Sequence, residues 1–250
     1  MRGAQVRPDG TTIRWVEFPG TEPTRVYLHG LGASSPAYYA AVATNPALAG
    51  RRALLMDLLG HGISDRPADA SYTLEEHADL LATALTAAGV GAAEVIAHSM
   101  GGAVAIVLAA RHPHLVSALV LVDATLDPQP PGVGIPARYT EEQFVHGGGR
   151  SDTLTQVGAT WAATMRLTGP EALYRTAAHL GRGTTPTVRE LLLELPVPRT
   201  YLHPSGSEPI GAHALTAAGV QVVAVPDAGH NIMLDNPDGF VAATAAALRG

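Results

Sequence analysis

Six short apolar runs recur along this chain, at residues 25–29, 53–57, 94–98, 116–123, 197–203 and 220–225, each separated from the next by a longer stretch with room for a helix. Runs of this length suit buried strands, since an isolated helix core needs ten or more residues. Their alternation with helical stretches predicts an α/β class fold: a mostly parallel, doubly wound sheet with helices on both faces. Before the first run, residues 4–7 and 11–18 flank Pro8-Asp9-Gly10, a turn tripeptide whose glycine can take positive φ, so an antiparallel hairpin is expected there. Helix starts agree with this order. Ser35-Pro36 offers a cap followed by a first-turn proline, and Thr73 with Glu76 fits the S/T-x-x-E capping box, opening an amphipathic helix over residues 74–88.

The alternation breaks between residues 125 and 195, where Pro and Gly are dense and helix starts recur at Thr140, at Ser151 or Asp152, at Gly169-Pro170 and at Thr185-Pro186. We expect a sheet domain over residues 1–124 and 196–250, with residues 125–195 inserted as a small helical lid. The run Gly147-Gly148-Gly149 inside that insert reads as a flexible hinge, because no strand-to-helix context makes it a phosphate loop.

Bulk properties narrow the function classes. With 46% hydrophobic residues in 250, one sizeable core can form without metals or disulfides. The formal net charge is −6 and the cations are scattered singly, which excludes the basic stripe that nucleic acid or an anionic membrane surface would need. Cysteine is absent, so disulfides, thiolate nucleophiles and thiolate-held zinc are excluded, and the composition is compatible with a reducing compartment. Residues 1–10 carry no apolar signal region and the stretch 101–110 is too short to span a bilayer; a soluble, cytoplasmic protein is the expectation. No cofactor or metal is implied, and the oligomeric state is unread.

The chemistry concentrates at Ala97-His98-Ser99-Met100-Gly101-Gly102, between an expected strand and an apolar helix reaching Arg111. A small residue two before the serine and a glycine two after it let the backbone turn sharply enough to raise Oγ above the sheet. An alanine replaces the first glycine of the G-x-S-x-G pattern, and the strand-turn-helix context supplies what the bare pattern loses. Ser99 is the expected nucleophile. Acyl transfer builds charge on a carbonyl oxygen, and fixed N–H donors must receive it. The amides of Leu31, in His29-Gly30-Leu31-Gly32, and of Met100 are the expected donors. A serine hydroxyl needs an imidazole to take its proton, and His230, in Ala228-Gly229-His230-Asn231 after the last strand, is the expected base. His61 and His98 compete for that role and read better as structural residues.

Taken together, HGLG, the segment 57–65 (DLLGHGISD), AHSMGG and Gly229-His230 followed by Leu-Asp-Asn-Pro at 234–237 resemble the α/β-hydrolase superfamily over nearly the whole chain. The resemblance implies a hydrolase fold, the serine, histidine and amide roles above, and a structural turn at 57–65. The commonest family pattern puts the acid just after the strand read at 197–203, where this chain has Ser207 and then Glu208. Haloalkane-dehalogenase-like and some lactonase-like members carry it instead after the strand following the nucleophile's helix. Asp123 occupies that place, 24 residues after Ser99 and at the tip of a strand returning to the serine's side of the sheet. Asp123 is therefore the expected acid, with Glu208 the alternative and Asp227 a third candidate. A serine nucleophile suits carboxylic esters or lactones of modest apolar size better than alkyl halides. Non-hydrolytic or C–C bond chemistry on the same scaffold, and a receptor-like binding protein, stay open. Trp161 and Met165, four apart on one helical face of the lid, are candidates for substrate contact.

Overall fold

The computed structural model describes residues 1–128 and 134–249. The expected hairpin is formed by β1 (Arg2–Gln5) and β2 (Thr12–Phe18), with Gly10 at φ +95° in its turn and the Val6 N–H donating to the Thr11 carbonyl at 2.8 Å. Then follow β3 (Thr21–Leu28), β4 (Arg51–Asp57), β5 (Ala93–His98), β6 (Val116–Val122), β7 (Arg199–Pro204) and β8 (Val220–Val225). They make one sheet in the order β1-β2-β4-β3-β5-β6-β7-β8, in which β1 with β2 and β2 with β4 are antiparallel and the other neighbours parallel. This is the doubly wound α/β architecture expected from the alternation of apolar runs. β3 starts at Thr21, ahead of the apolar run at 25–29, because its polar first residues pair with β4 at the sheet's end, Thr21 opposite Arg51.

Side chains alternate across the sheet with the period of two that a strand imposes. Val26 and Leu28 of β3 join Val95 and Ala97 of β5 in one core, beneath α2 (Leu74–Ala87) and α3 (Met100–Arg111). Tyr27 and Ile96 point the other way, to a second core with α1 (Ser35–Ala43), α11 (Ile232–Asp235) and α12 (Pro237–Ala247). The central strands are thus apolar on both faces. Each fully buried Leu, Ile or Val contributes about 1.5–3 kcal/mol relative to exposure.

Between β6 and β7 lie α4 (Ile135–Arg138), α5 (Glu141–Val145), α6 (Gly149–Gln156), α7 (Ala159–Met165), α8 (Pro170–Arg182) and α9 (Val188–Glu194), and α10 (Ala212–Ala217) joins β7 to β8. Thr140 and Gly169 cap α5 and α8 where expected, and Thr140 closes a full capping box with Gln143. Three starts differ from expectation. α1 has Ser34 as its N-cap, with Ser35 already helical, because the Ser35 hydroxyl donates to the Met56 carbonyl at 2.7 Å. α6 begins at Gly149, ahead of Ser151 and Asp152, because Gly148 takes the left-handed N-cap position. α9 is capped by Thr187, ahead of which Thr185-Pro186 lies outside the helix, since Thr187 and Glu190 form the reciprocal box. At α2 the box is half formed: Thr73 accepts the Glu76 N–H, while the Glu76 carboxylate accepts from the Tyr72 N–H at 2.6 Å. Phe144, Met165 and Leu173 make a small cluster among the inserted helices, whereas Leu180, Val188 and Leu192 belong to the main core. The glycines at 147–149, expected as a hinge, form the turn from α5 to α6, with the Gly147 N–H donating to the Glu142 and Gln143 carbonyls.

The segment after β4 is anchored on a buried carboxylate. Asp57 accepts from the Ser34 hydroxyl, the Ser35 N–H and the Ile63 N–H at 3.1, 2.7 and 2.9 Å. Gly62, at φ +50°, passes so close that a Cβ there would lie 1.8 Å from Asp57 Oδ2. His29 is held on both sides, its Nδ1–H donating to the Gly30 carbonyl at 2.7 Å and its Nε2 accepting from the Leu58 N–H at 3.1 Å.

Burial sets an acid limit on this fold. It holds His29 neutral down to about 4 and His61 and His98 down to about 3, and it lowers His77 in the same direction. Unfolded, these imidazoles titrate near 6.5, so below that pH the unfolded chain binds more protons and stability falls as pH drops. Asp57 opposes them: burial raises it to about 6, so the folded chain binds the extra proton between that pH and the ordinary carboxylate range, and acid favours the fold there. Four imidazoles outweigh one carboxyl, so the net effect of acid is destabilising. We expect the melting temperature to fall steadily between pH 6.5 and pH 4.5 in a calorimetric series; a flat or rising trend would contradict the buried neutral histidines.

Candidate active site

β5 ends at His98, and the chain reverses at Ser99 into α3. Ser99 sits at φ +51°, ψ −119°, a region disfavoured for a residue with a Cβ. The surroundings enforce it. The Ser99 N–H donates to the Val122 carbonyl at 3.0 Å, and the Ser99 carbonyl accepts from Gly102, Ala103 and Thr125 N–H groups. Two glycines make the approach feasible: a Cβ on Gly101 would lie 2.4 Å from the His29 carbonyl oxygen, and one on Gly102 would lie 2.4 Å from the Ala124 methyl. Ala97, standing where the motif usually has glycine, buries its methyl in the main core, so that position has room for a Cβ.

Asp123 follows the last residue of β6 and is itself at positive φ, +41°, with its N–H donating to the Leu202 carbonyl at 2.8 Å. His230 lies in the loop between β8 and α11. Its Nδ1 is 2.7 Å from Asp123 Oδ2 and its Nε2 is 3.2 Å from Ser99 Oγ. A carboxylate only accepts, so Nδ1–H donates to Asp123 and the Nε2 lone pair faces the serine hydroxyl. Glu208 lies exposed in the loop after β7 and Asp227 exposed at φ +49° before His230, neither hydrogen-bonded to the imidazole. Of the three candidate acids, Asp123 alone is brought to the histidine.

The loop carrying His230 is fastened by residues that the sequence motif contained but whose roles were not read from it. The Gly229 N–H donates to Asp235 Oδ2 at 2.9 Å, and Asn236 both donates to the Pro226 carbonyl and caps α12 through the Gly239 N–H. His98 adds a third tie. Its Nε2 lies 2.9 Å from the His230 carbonyl oxygen, which only accepts, so Nε2 carries the proton and Nδ1 does not. The competing histidines are thus accounted for: His98 braces the loop from below, and His61, fully buried, donates from Nδ1 to the Leu59 carbonyl at 3.0 Å. The only sequence signal for these ties was proximity to His230 and Ser99.

Ser99 and His230 line a cavity of about 270 Å³ together with Leu31, Tyr38, Trp161 and Leu180. Leu31 follows β3 in the HGLG loop. Met100 is the first residue of α3, whose N–H has no acceptor within the helix. Among the described residues neither the Leu31 nor the Met100 N–H has a protein partner. α7 grips the HGLG loop from above: the Trp161 Nε1–H donates to the Leu31 carbonyl at 2.9 Å and the Thr164 hydroxyl to the Gly32 carbonyl at 3.0 Å. Trp161 therefore borders the Ser99 cavity, while Met165, 1% exposed, lies behind it and lines a neighbouring cavity. Among the described residues no group of three or more His, Asp or Glu side chains is placed to hold a metal ion, and no helix is long and apolar enough to cross a membrane.

Residues 26–163 match the family described as alpha/beta hydrolase fold. An sn-1-specific diacylglycerol lipase, ABHD11, of Mus musculus is 29% identical over 281 aligned positions, covering 99% of this chain and 88% of that protein. An esterase of Mycobacterium tuberculosis is 32% identical over 72% of this chain and 56% of its own length. Other curated relatives match over shorter segments, the chain spanning 24% and 31% of two of them. Among solved structures, the enol-lactonase from Burkholderia xenovorans LB400 superposes with a TM-score of 0.82 over the whole of both chains at 21% identity, a likeness of fold.

The turn at Ser99 makes a stability prediction independent of chemistry. Glycine occupies positive φ without a Cβ penalty, which outweighs its greater chain entropy when the strain is of the usual 1–3 kcal/mol. Ser99→Gly is expected to be more stable than Ser99→Ala by about 1 kcal/mol in denaturant titrations; equal midpoints and slopes would mean the turn is unstrained.

Proposed function

Because the chain belongs to the α/β-hydrolase family, we propose that it is a serine hydrolase cleaving a small apolar carboxylic ester or lactone through an acyl-enzyme on Ser99. The observation that carries this reading is the line from Asp123 Oδ2 through His230 to Ser99 Oγ, 2.7 and 3.2 Å, in the wall of a cavity lined by Leu31, Tyr38 and Trp161. In the proposed reaction Ser99 Oγ attacks the ester carbonyl carbon as its proton passes to His230 Nε2. Asp123 accepts the Nδ1–H and stabilises the imidazolium that forms. The tetrahedral oxyanion is received by the Leu31 and Met100 N–H groups, each such donor being worth about 3–4 kcal/mol in comparable enzymes. Collapse breaks the bond to the alcohol oxygen, which leaves with the proton from His230. Water then repeats the sequence on the acyl-enzyme and releases the acid. The inserted helices, α7 above all, serve as the cap, and the shared grip of Trp161 and Thr164 on the HGLG loop ties the cap to the oxyanion site.

Two measurements test the reading. A fluorophosphonate is expected to add once, at Ser99, as mapped by mass spectrometry of peptides, and no adduct on folded protein would refute a working serine nucleophile. On p-nitrophenyl acetate, Ser99→Ala and His230→Ala should abolish measurable turnover, and Asp123→Asn should lower kcat by about 10³- to 10⁴-fold because the wrong tautomer is held. Glu208→Gln should stay within about twofold of the unmodified chain, a surface change away from the reacting groups. Collapse of turnover in Glu208→Gln alone would move the acid to β7.

A further inference from the structure

The Ser99 cavity has a neighbour. A second cavity of about 250 Å³ lies among the inserted helices, and the two share Leu31 and Trp161 in their walls. Its remaining apolar lining is Ile135, Val157, Met165 and Ala177. The polar side chains at its edge are already engaged: the Arg138 guanidinium donates to Gln156 Oε1, and the Thr153 hydroxyl donates to the Gly149 carbonyl at 2.9 Å. Apart from the exposed Arg138 guanidinium at its edge, the described lining is mostly apolar. Neither cavity alone reaches the roughly 300–1,000 Å³ usual for a small-molecule site, whereas the two joined fall inside that range.

Trp161 stands with Leu31 where the two cavities adjoin. Its indole N–H is tied to the Leu31 carbonyl at 2.9 Å, and its ring is 37% exposed rather than locked in a core, on a seven-residue helix that starts at an uncapped glycine. We propose that the second cavity is a subsite for the unbranched aliphatic tail of a medium-chain ester, and that Trp161 sets the chain length by dividing the tail's path. The proposal rests on Ser99 being the nucleophile, since it is the ester at Ser99 whose tail runs past Leu31 and Trp161. A chain running along Leu31 passes the residue whose N–H is the oxyanion donor, so the tail that fills the second cavity also seats the carbonyl. Each methylene buried there increases transition-state affinity by about fourfold, and the gain stops where the partition or the cavity end is met.

The test compares kcat/KM on p-nitrophenyl acetate, butyrate, hexanoate, octanoate and decanoate. Trp161→Ala, which widens the passage between the two cavities, is expected to raise the octanoate-to-acetate ratio at least tenfold over the unmodified chain, whereas Trp161→Phe, which loses the indole N–H but keeps a ring, shifts it by less. Val157→Phe, at the half-buried edge of the second cavity, is expected to cut the ratio at least tenfold in either background. Because Trp161→Ala risks loosening α7, Val157→Phe serves as the independent arm. A ratio unchanged by Val157→Phe in folded protein that still takes the fluorophosphonate at Ser99 would overturn the subsite while leaving the serine chemistry standing. Failure of the fluorophosphonate reaction would instead remove the premise, and the subsite with it. A second readout needs no turnover. Trp161 is one of two tryptophans, the other being the sheet residue Trp15. In Ser99→Ala, octanoate ester should therefore change the tryptophan emission saturably, and Trp161→Phe in that background should abolish the change; emission that follows the ester equally without Trp161 would count against the partition.

Discussion

Two backbones meet almost at van der Waals contact where the first turn of α3 crosses the end of β3, and the site depends on that contact. Gly101 faces the His29 carbonyl with no room for a methyl group, and Gly102 faces Ala124 in the same way. With both positions bare, α3 can begin immediately after β5, and Ser99 is left as the single residue that must absorb the reversal. It does so at positive φ, fixed by hydrogen bonds to Val122, Gly102, Ala103 and Thr125. Among the described residues, three of the four non-glycine residues with positive φ, Ser99, Asp123 and Asp227, lie at or next to the site. Strain of this kind persists only where neighbouring structure over-determines it, and here the parallel strands supply that constraint at their carboxyl ends.

Around the turn, buried polar groups tie neighbouring segments to one another. Asp57 collects three donors and thereby fixes the start of α1 and the loop from 57 to 65. His29 spans from the Gly30 carbonyl to the Leu58 amide, so the HGLG loop is tied to the end of β4 before α7 reaches it. His98 extends the same logic to the His230 loop. His29 works here as a neutral two-ended connector, whereas His98 is tied through Nε2 alone and its buried Nδ1 has no partner among the described residues. The cost is confined to acid, where the unfolded chain gains protons the folded chain refuses.

The path from fold to substrate runs through one residue type at two heights. Leu31 lines both cavities, gives its carbonyl to Trp161, and among the described residues leaves its N–H without a protein partner. A cap helix that grips the peptide groups after Leu31 and Gly32 cannot move without disturbing that residue. In the proposed reaction, substrate length and oxyanion geometry would therefore be coupled through Leu31.

Much of this was legible in the residues. The apolar runs and their spacing determined the sheet, since a parallel strand buried on both faces must be apolar throughout, and 97–102 and 228–231 marked the two loops carrying Ser99 and His230. The position of Asp123, at the end of the strand after α3, followed from chain order alone. Strand ends were less legible: β3 begins at polar Thr21 because pairing with Arg51, and not hydrophobicity, extends it. Which carboxylate meets His230, how His98, Asp235 and Asn236 hold the loop, and that Trp161 lines the Ser99 cavity while Met165 lines only its neighbour were decided only in three dimensions. The contacts of Asp123 and His98 with His230 join residues more than 100 positions apart, and the others turn on local backbone and side-chain geometry, neither of which periodicity or motif spacing records.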